Sequence, residues 1–319
     1  MRIRAETTAE TAAGQSGGFG LRVLFVGNAV GDLHRSIQID TVKVMPEMVE
    51  IEIYRRLAER LVGRRIAEVD ANDAWFCKRR TSPALLVESL PGLVVSGTRR
   101  IGKLLLLDLA SGGAPDATHS VVANPEVVSV LGLRFGMTGR LIVDGIAGID
   151  ELLYSSDRND PAWDRFGIRF TDGTALSIRD PRRLGGVELD ADTNLLGPDA
   201  LTITLKELRA LTTRTAPIKA ILLDQGFIAG LGNLLVDEVL WRAALAPNRA
   251  GTSITAVELQ KLHKTIRPTI STMLRRGGSH LGDVIAERHL GGRCPLDGAA
   301  MKKGTFGGRS SWWCSKHQI

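Results

Sequence analysis

Residues 45–47, Met-Pro-Glu, set a proline nitrogen beside a carboxyl. In a chain that begins at Pro46, the proline nitrogen is an N-terminal amine. An α-amino group titrates near pH ~7.7–8.0, so about a tenth or more is neutral at pH 7, while a lysine near ~10.4 is under about 0.1% neutral. Such an amine attacks an electrophilic carbon, as Schiff-base chemistry requires, and Glu47 beside it would move protons. The same residues also serve as helix punctuation, because proline and glutamate suit a first helical turn. On three residues alone, punctuation is the plainer reading.

Three further clusters carry chemistry. Cys294-x2-Asp297 and Cys314-x2-His317 lie 16 residues apart near the C-terminus. Paired C-x2-C elements at such a distance hold zinc, and aspartate and histidine are legitimate zinc ligands. The alternative is a hairpin that has lost its metal. The stretch "DQGFIAGLGNLLVDEVLWRAAL" ends one helix near Gln225, turns on glycines and starts another at Asn233. Backbone N–H groups at that turn would hold a phosphate, with Asn233 adding a donor; without one, this is a plain helical hairpin. "RFGMTGR" and "RDPRRLGG" place Met137, Arg182 and Leu184 on glycine-rich turns between strands, as wedges and a cationic plug, or as ordinary β-turns.

The elements that must position these residues follow from periodicity. Val49, Ile53, Leu57 and Leu61 recur every four positions, which predicts an amphipathic helix from Met48 that ends at Gly63. Short β-rich runs split by Gly, Asp and Asn follow to about Asp192, with "TDGT" as a hairpin turn. Beyond "LLGPDAL" the texture is helical to about residue 285, and the tail from Gly291 reads as a small basic hairpin module. The expected fold is α+β and multidomain. An N-terminal helix plus antiparallel β-sandwich fills 45–192. A helix–two-turn–helix domain fills 193–285 and a zinc-finger-type β-hairpin 286–319. Residues 1–44 read as an N-terminal extension, polar and low-complexity over its first 20 residues and then apolar for about one strand in "LRVLFVGNAVG", and are expected to be disordered or to precede the true start.

Composition bounds the function. The 319 residues carry Lys+Arg 41 against Asp+Glu 35, a basic balance that suits nucleic acid without requiring it. Aromatics are too sparse for a broad single-strand stacking platform. Three cysteines make no disulfide framework, and Cys77 reads as a small buried side chain. No apolar run is long enough to span a membrane. Glu6 and Glu10 argue against a signal peptide, so the expected location is cytoplasmic.

The set of motifs, in this order, resembles the formamidopyrimidine-DNA glycosylase / endonuclease VIII family of base-excision repair enzymes. "MPEMVEIEIYRRL" is similar to that family's N-terminal helix, and "RRIGKLLLLDL" to its lysine-bearing strand. "FGMTG" and "DPRRLGG" resemble its void-filling loops, and "PIKAILLDQGFIAGLGNLLVDEVLWRAAL" its helix–two-turn–helix signature. The tail has its finger spacing, and the resemblance covers Met45 to Ile319.

The resemblance implies that Pro46 attacks C1′ of the damaged nucleotide, that Glu47 assists sugar-ring opening and that Glu50 supports the site. Base loss would be followed by β- and δ-elimination. It also implies that Lys103, Asn233 and Arg309 bind phosphates around a flipped nucleotide, that Lys219 lies near the lesion, and that Met137, Arg182 and Leu184 fill the hole left behind. The implied cofactor is structural Zn2+ on Cys294, Asp297, Cys314 and His317. The implied partner is double-stranded DNA with oxidised bases or abasic sites, bound by a monomer in a bacterial-type cytoplasm.

Four features depart from the family pattern. Asp297 and His317 replace cysteines of the finger. Leu184 stands where guanine-directed members carry an aromatic. The stretch between Gly278 and Cys294 is short, so the loop that caps 8-oxoguanine looks missing, which predicts weak excision of that lesion. Moreover, Pro46 is internal in the 319-residue chain, and a tertiary amide nitrogen has no basic lone pair. Either the working protein starts at Pro46, or the extension is cleaved, or the chain binds damaged DNA without cutting it.

Overall fold

The computed structural model describes residues 46–111, 126–149 and 160–319. The expectations for residues 1–44 lie outside these. The described chain opens with α1 (Met48–Ala58), continued by a 3-10 turn to Leu61 and closed at Gly63, whose φ of 87° is open to glycine. Then come β1 (Ile66–Asp70), α2 (Pro83–Ser89), β2 (Leu93–Ile101), β3 (Leu104–Ser111), β4 (Val127–Arg134), β5 (Arg140–Val143), β6 (Ile146–Ala147), β7 (Asp164–Phe170), β8 (Ala175–Arg179) and β9 (Gly186–Leu189). The helical part holds α3 (Leu205–Leu208), α4 (Ile218–Leu223), α5 (Asn233–Ala243) and α6 (Ala256–Arg276). The hairpin β10 (Met301–Phe306) and β11 (Arg309–Cys314) closes the chain.

The strands form two antiparallel sheets, β1-β7-β8-β5-β6 and β2-β3-β4-β9. Leu105, Leu107, Leu109, Leu131, Leu133, Phe166 and Ile178 meet between them as one core. β7 alternates buried and more exposed residues, as a sandwich strand does, while β3 is buried along nearly its whole length. A second core gathers Leu222, Leu235, Val239, Leu262 and Ile270 from α4, α5 and α6.

α1 serves both cores. Ile51, Tyr54, Leu57 and Ala58 belong to the sandwich, while Met48 and Val49 belong to the helical core. The expected single apolar stripe is therefore too narrow, since a helix between two cores is buried on more than one face. α6 has a Thr255–Glu258 capping box at its start and Gly277 at φ 101° at its end. It runs through Pro268 without interruption. No helix among the described residues is long and apolar enough to cross a membrane.

Candidate active site and metal cluster

Pro46 is buried at the head of α1. Glu47, also buried, does not stay on its own helix. Its carboxylate faces the N-terminus of α5, where Leu234 N–H donates to Oε1 at 2.8 Å and Leu235 N–H to Oε2 at 3.1 Å. These are orphan donors of a helix start, at the positive end of its dipole. Gly232 makes the approach possible, because a Cβ there would overlap the Glu47 carboxyl group. Met48 N–H donates to Gly230 O at 3.3 Å, which pins the α1 start onto the same turn. Gly230 has φ 113°, and a Cβ on it would lie 2.9 Å from Met48 Sδ.

Glu50 closes the head of α1 from the other side. Its Oε2 accepts Glu47 N–H at 2.8 Å, and its Oε1 accepts Ser279 N–H at 2.6 Å from the segment after α6. Burial pushes the Glu50 carboxyl up to about 7, against the pull of these N–H donors. Burial also raises Glu47, opposed by Lys103 and the two α5 N–H groups. Lys103 is half-buried just before β3, and burial lowers its ammonium while Glu47 and Glu50 hold it up. Arg309, exposed at the start of β11, lowers it further. A carboxyl with raised affinity for its proton, a cation and a helix N-terminus therefore converge beside Pro46.

The turn carrying Lys103 is tied to the helical part by Asp199. Arg100 donates to Asp199 at 2.6 and 3.1 Å, and Gly102 N–H donates to Asp199 Oδ2 at 2.7 Å. A Cβ on Gly102 would sit 2.7 Å from Ala229 Cβ, so the lysine turn and the glycine turn are in direct contact. Asn233 opens α5 beside them, and its side-chain oxygen is buried with no hydrogen-bond partner among the described residues. An amide with an unpaired end in such a place is open to a ligand, donating through its NH2 group to a phosphate or accepting through its oxygen.

The two expected wedge loops form one unit. Asp180, fully buried, accepts the Thr138 hydroxyl, Arg182 N–H at 3.2 Å and Gly185 N–H at 2.7 Å. A Cβ on Gly136, at φ 56°, would lie 2.5 Å from the Leu184 carbonyl carbon. Met137 is half-buried, while Arg182 and Leu184 are exposed, Leu184 by 48%.

Lys219, expected near a lesion, lies within the field of Glu47. It is fully buried, donating to Asp237 Oδ1 at 2.7 Å and to Ser310 O at 2.9 Å. Arg288 donates to Asp237 Oδ2 at 2.9 Å and Trp312 N–H to the same oxygen at 3.4 Å. Asp237 thus ties the finger to α5 one residue away from Arg309. The apolar texture of α5 hid this acid, and only its odd position in a buried helix could have signalled it.

The four predicted metal ligands come together, with one donor atom of each within 4.8 Å of the others. Cys294 Sγ lies 3.4 Å from His317 Nδ1, Cys314 Sγ 3.3 Å from Asp297 Oδ2, and His317 Nδ1 3.5 Å from Asp297 Oδ2. Zinc bonds of about 2.0–2.3 Å at tetrahedral angles separate their ligands by roughly 3.3–3.8 Å. These three separations are those of a tetrahedral site, and the donor set could hold a metal ion. The surroundings fit as well: His317 Nε2 pairs with Trp241 O at 3.2 Å, fixing the ring, and Trp241 Nε1–H donates to Cys294 Sγ at 3.4 Å.

Comparison with known proteins bears on what this arrangement does. Family models for the formamidopyrimidine-DNA glycosylase N-terminal domain and its H2TH domain match residues 45–187 and 196–284. A formamidopyrimidine-DNA glycosylase of Ruegeria pomeroyi is 31% identical over 306 aligned residues, covering 86% of this chain and 100% of the relative. One of Stenotrophomonas maltophilia (strain K279a) is 31% identical with the same coverage. A solved complex of Lactococcus lactis Fpg with THF-DNA and an inhibitor matches at TM-score 0.69 and 25% identity, covering 86% of this chain and 100% of that one. A complex of the same protein with Fapy-dG-containing DNA matches at 0.68 and 25%, covering 85% and 99%.

Proposed function

Because the chain belongs to the formamidopyrimidine-DNA glycosylase family, we propose that it is a DNA glycosylase and abasic-site lyase that acts when the chain begins at Pro46. The observation that carries this reading is Glu47, seated on the α5 N-terminus beside Pro46 and within the field of Lys103. The free proline nitrogen attacks C1′ of an extruded damaged nucleotide. Glu47 in its protonated form donates to the sugar-ring oxygen, the C1′–O bond breaks, and the base leaves with the glycosidic electrons and takes up the proton released from the proline nitrogen as the iminium forms. The resulting iminium acidifies C2′, so loss of that proton expels the 3′ phosphate, and a second elimination expels the 5′ phosphate. A general acid at this place contributes about 10²–10⁴ in rate.

Lys103, Asn233 and Arg309 take the phosphates around the extruded nucleotide. Met137, Arg182 and Leu184 occupy the space it leaves. Cys294, Asp297, Cys314 and His317 hold zinc as a structural ion that shapes the finger bearing Arg309. The substrate is duplex DNA with formamidopyrimidines, oxidised pyrimidines or abasic sites, in preference to 8-oxoguanine, and the enzyme acts as a monomer.

A second reading has its own observation. In the 319-residue chain Pro46 nitrogen is acylated, so that form would bind damaged DNA without cutting it. The family match begins at residue 45, and the whole length of the Ruegeria relative corresponds to 86% of this chain, which favours the shorter, active form.

Borohydride trapping on an abasic duplex, paired with intact-mass measurement, tests both readings. A chain starting at Pro46 is expected to become covalently attached to DNA, and Pro46→Gly or Glu47→Gln to lose most of that attachment. The 319-residue chain is expected to bind without trapping. No trapping by the Pro46 form would leave the binding reading in its place.

A further inference from the structure

Trp75 is 70% exposed, more than the wedge residue Leu184. Its loop is not loose. Lys78 N–H donates to Val187 O and Val187 N–H to Phe76 O, both at 2.9 Å, so the loop is stitched to β9. Phe76 is buried, and a Cβ on Gly185 would lie 3.1 Å from its ring. Arg183, next to Leu184, forms an ion pair with Asp73 at the start of the same loop. The indole is thus held on a fixed platform that abuts the Asp180-centred wedge loop.

Its neighbours are cationic. Lys78 Nζ stands 5.5 Å from the Trp75 ring centroid. The local carboxylates are already engaged: Asp73 by Arg183, and Glu188 by Arg79 at 3.0 Å. Arg80 is exposed and makes no ion pair or hydrogen bond among the described residues. A single exposed tryptophan is unremarkable by itself. An indole with a lysine over its ring, which also donates to the Trp75 carbonyl at 2.7 Å, on a stitched loop followed by the exposed Arg80, matches the way proteins hold nucleic acid, with aromatic faces for bases and cations for phosphates.

Resting on the DNA reading above, we infer that Trp75, Lys78 and Arg80 form an additional DNA-contact surface beside the wedge loop. The indole lies against a base or sugar, and the two cations meet phosphates of the duplex flanking the lesion.

The test is binding of the 319-residue chain to a duplex with a tetrahydrofuran abasic analogue and to the matching intact duplex, by anisotropy across about 50 to 200 mM salt. Trp75→Ala is expected to weaken abasic-duplex binding about fivefold or more with an unchanged salt slope, and Trp75→Phe to restore most of it. Arg80→Ala is expected to weaken binding to both duplexes and to lower the salt slope by about one. Thermal melting of each variant should match the parent protein, because these side chains are exposed. Parent binding with both variants unaffected would overturn this surface while leaving the DNA reading intact. A loss in only one variant would reject the composite surface. A parent chain that does not prefer the abasic duplex would overturn the DNA reading and this inference with it.

Discussion

Glu47 and Glu50 sit three residues apart on one turn of helix, yet neighbouring chain segments give them different tasks. Glu47 is held by α5 and stands next to Pro46, the proposed nucleophile, and on that proposal its proton belongs to the chemistry. Gly232 is what admits it. In a chain starting at Pro46, Gly232→Ala should push the Glu47 carboxyl off the α5 N-H groups and lower excision about 10²-fold, since small misplacements at a reacting centre cost that much. Steady-state excision on a Fapy-containing duplex measures it, and an unimpaired variant would refute the seating argument. Glu50 holds structure. Its carboxyl is raised from 4.5 to about 7 by burial, so the folded state binds that proton more tightly than the unfolded state does. The resulting stabilisation is full below about 4.5 and is lost as pH rises through about 7. Between those values the parent protein should lose stability relative to Glu50→Gln, by a few kcal/mol at most, read from urea midpoints. Parallel pH profiles would contradict the assignment.

α5 acts at the scale of the element. Its N-terminus receives Glu47, its first residue is Asn233, and Asp237, just over one turn on, anchors the finger through Lys219, Arg288 and Trp312. One helix thereby sets the distance between the head of α1 and Arg309. Removing one side of a buried ion pair leaves uncompensated charge, so Asp237→Ala should cost about 3–5 kcal/mol. Beyond that loss, DNA affinity should fall even at temperatures where the variant is fully folded, because Arg309 loses its anchor. Retained affinity with the parent salt slope would show that the finger is positioned by other means. Lys219 joins this anchor from the interior, where it pairs with Asp237 while remaining within the field of Glu47.

At the scale of the molecule, the two cores meet at α1 and the finger packs on the helical core through Cys294, Met301, Trp312 and Cys314. Metal loss should therefore not stay local. Prolonged chelation, or Cys294→Ser, is expected to release one zinc, shift the fluorescence of Trp312 and Trp313, and weaken DNA binding before any change in the sandwich strands. Elemental analysis that finds no metal in the parent protein would remove zinc from this account. By itself the sequence determined the α+β class, the helix at the α1 start, most sandwich strands and the spacing of the four donor residues. Those depend on local periodicity, turn chemistry and ligand intervals. It missed β1 and α2, whose apolar patterns are short, and it left the Pro-Glu reading open until the whole motif order was considered. Only the tertiary structure decided that Glu47 caps a helix nearly two hundred residues away, that Asp180 and Asp237 organise loops and finger, that Asp199 ties the Lys103 turn down, and that Lys219 is interior. The physical reason is that a buried carboxylate is satisfied by whichever donors the fold brings to it, and distant donors leave no periodic mark along the chain.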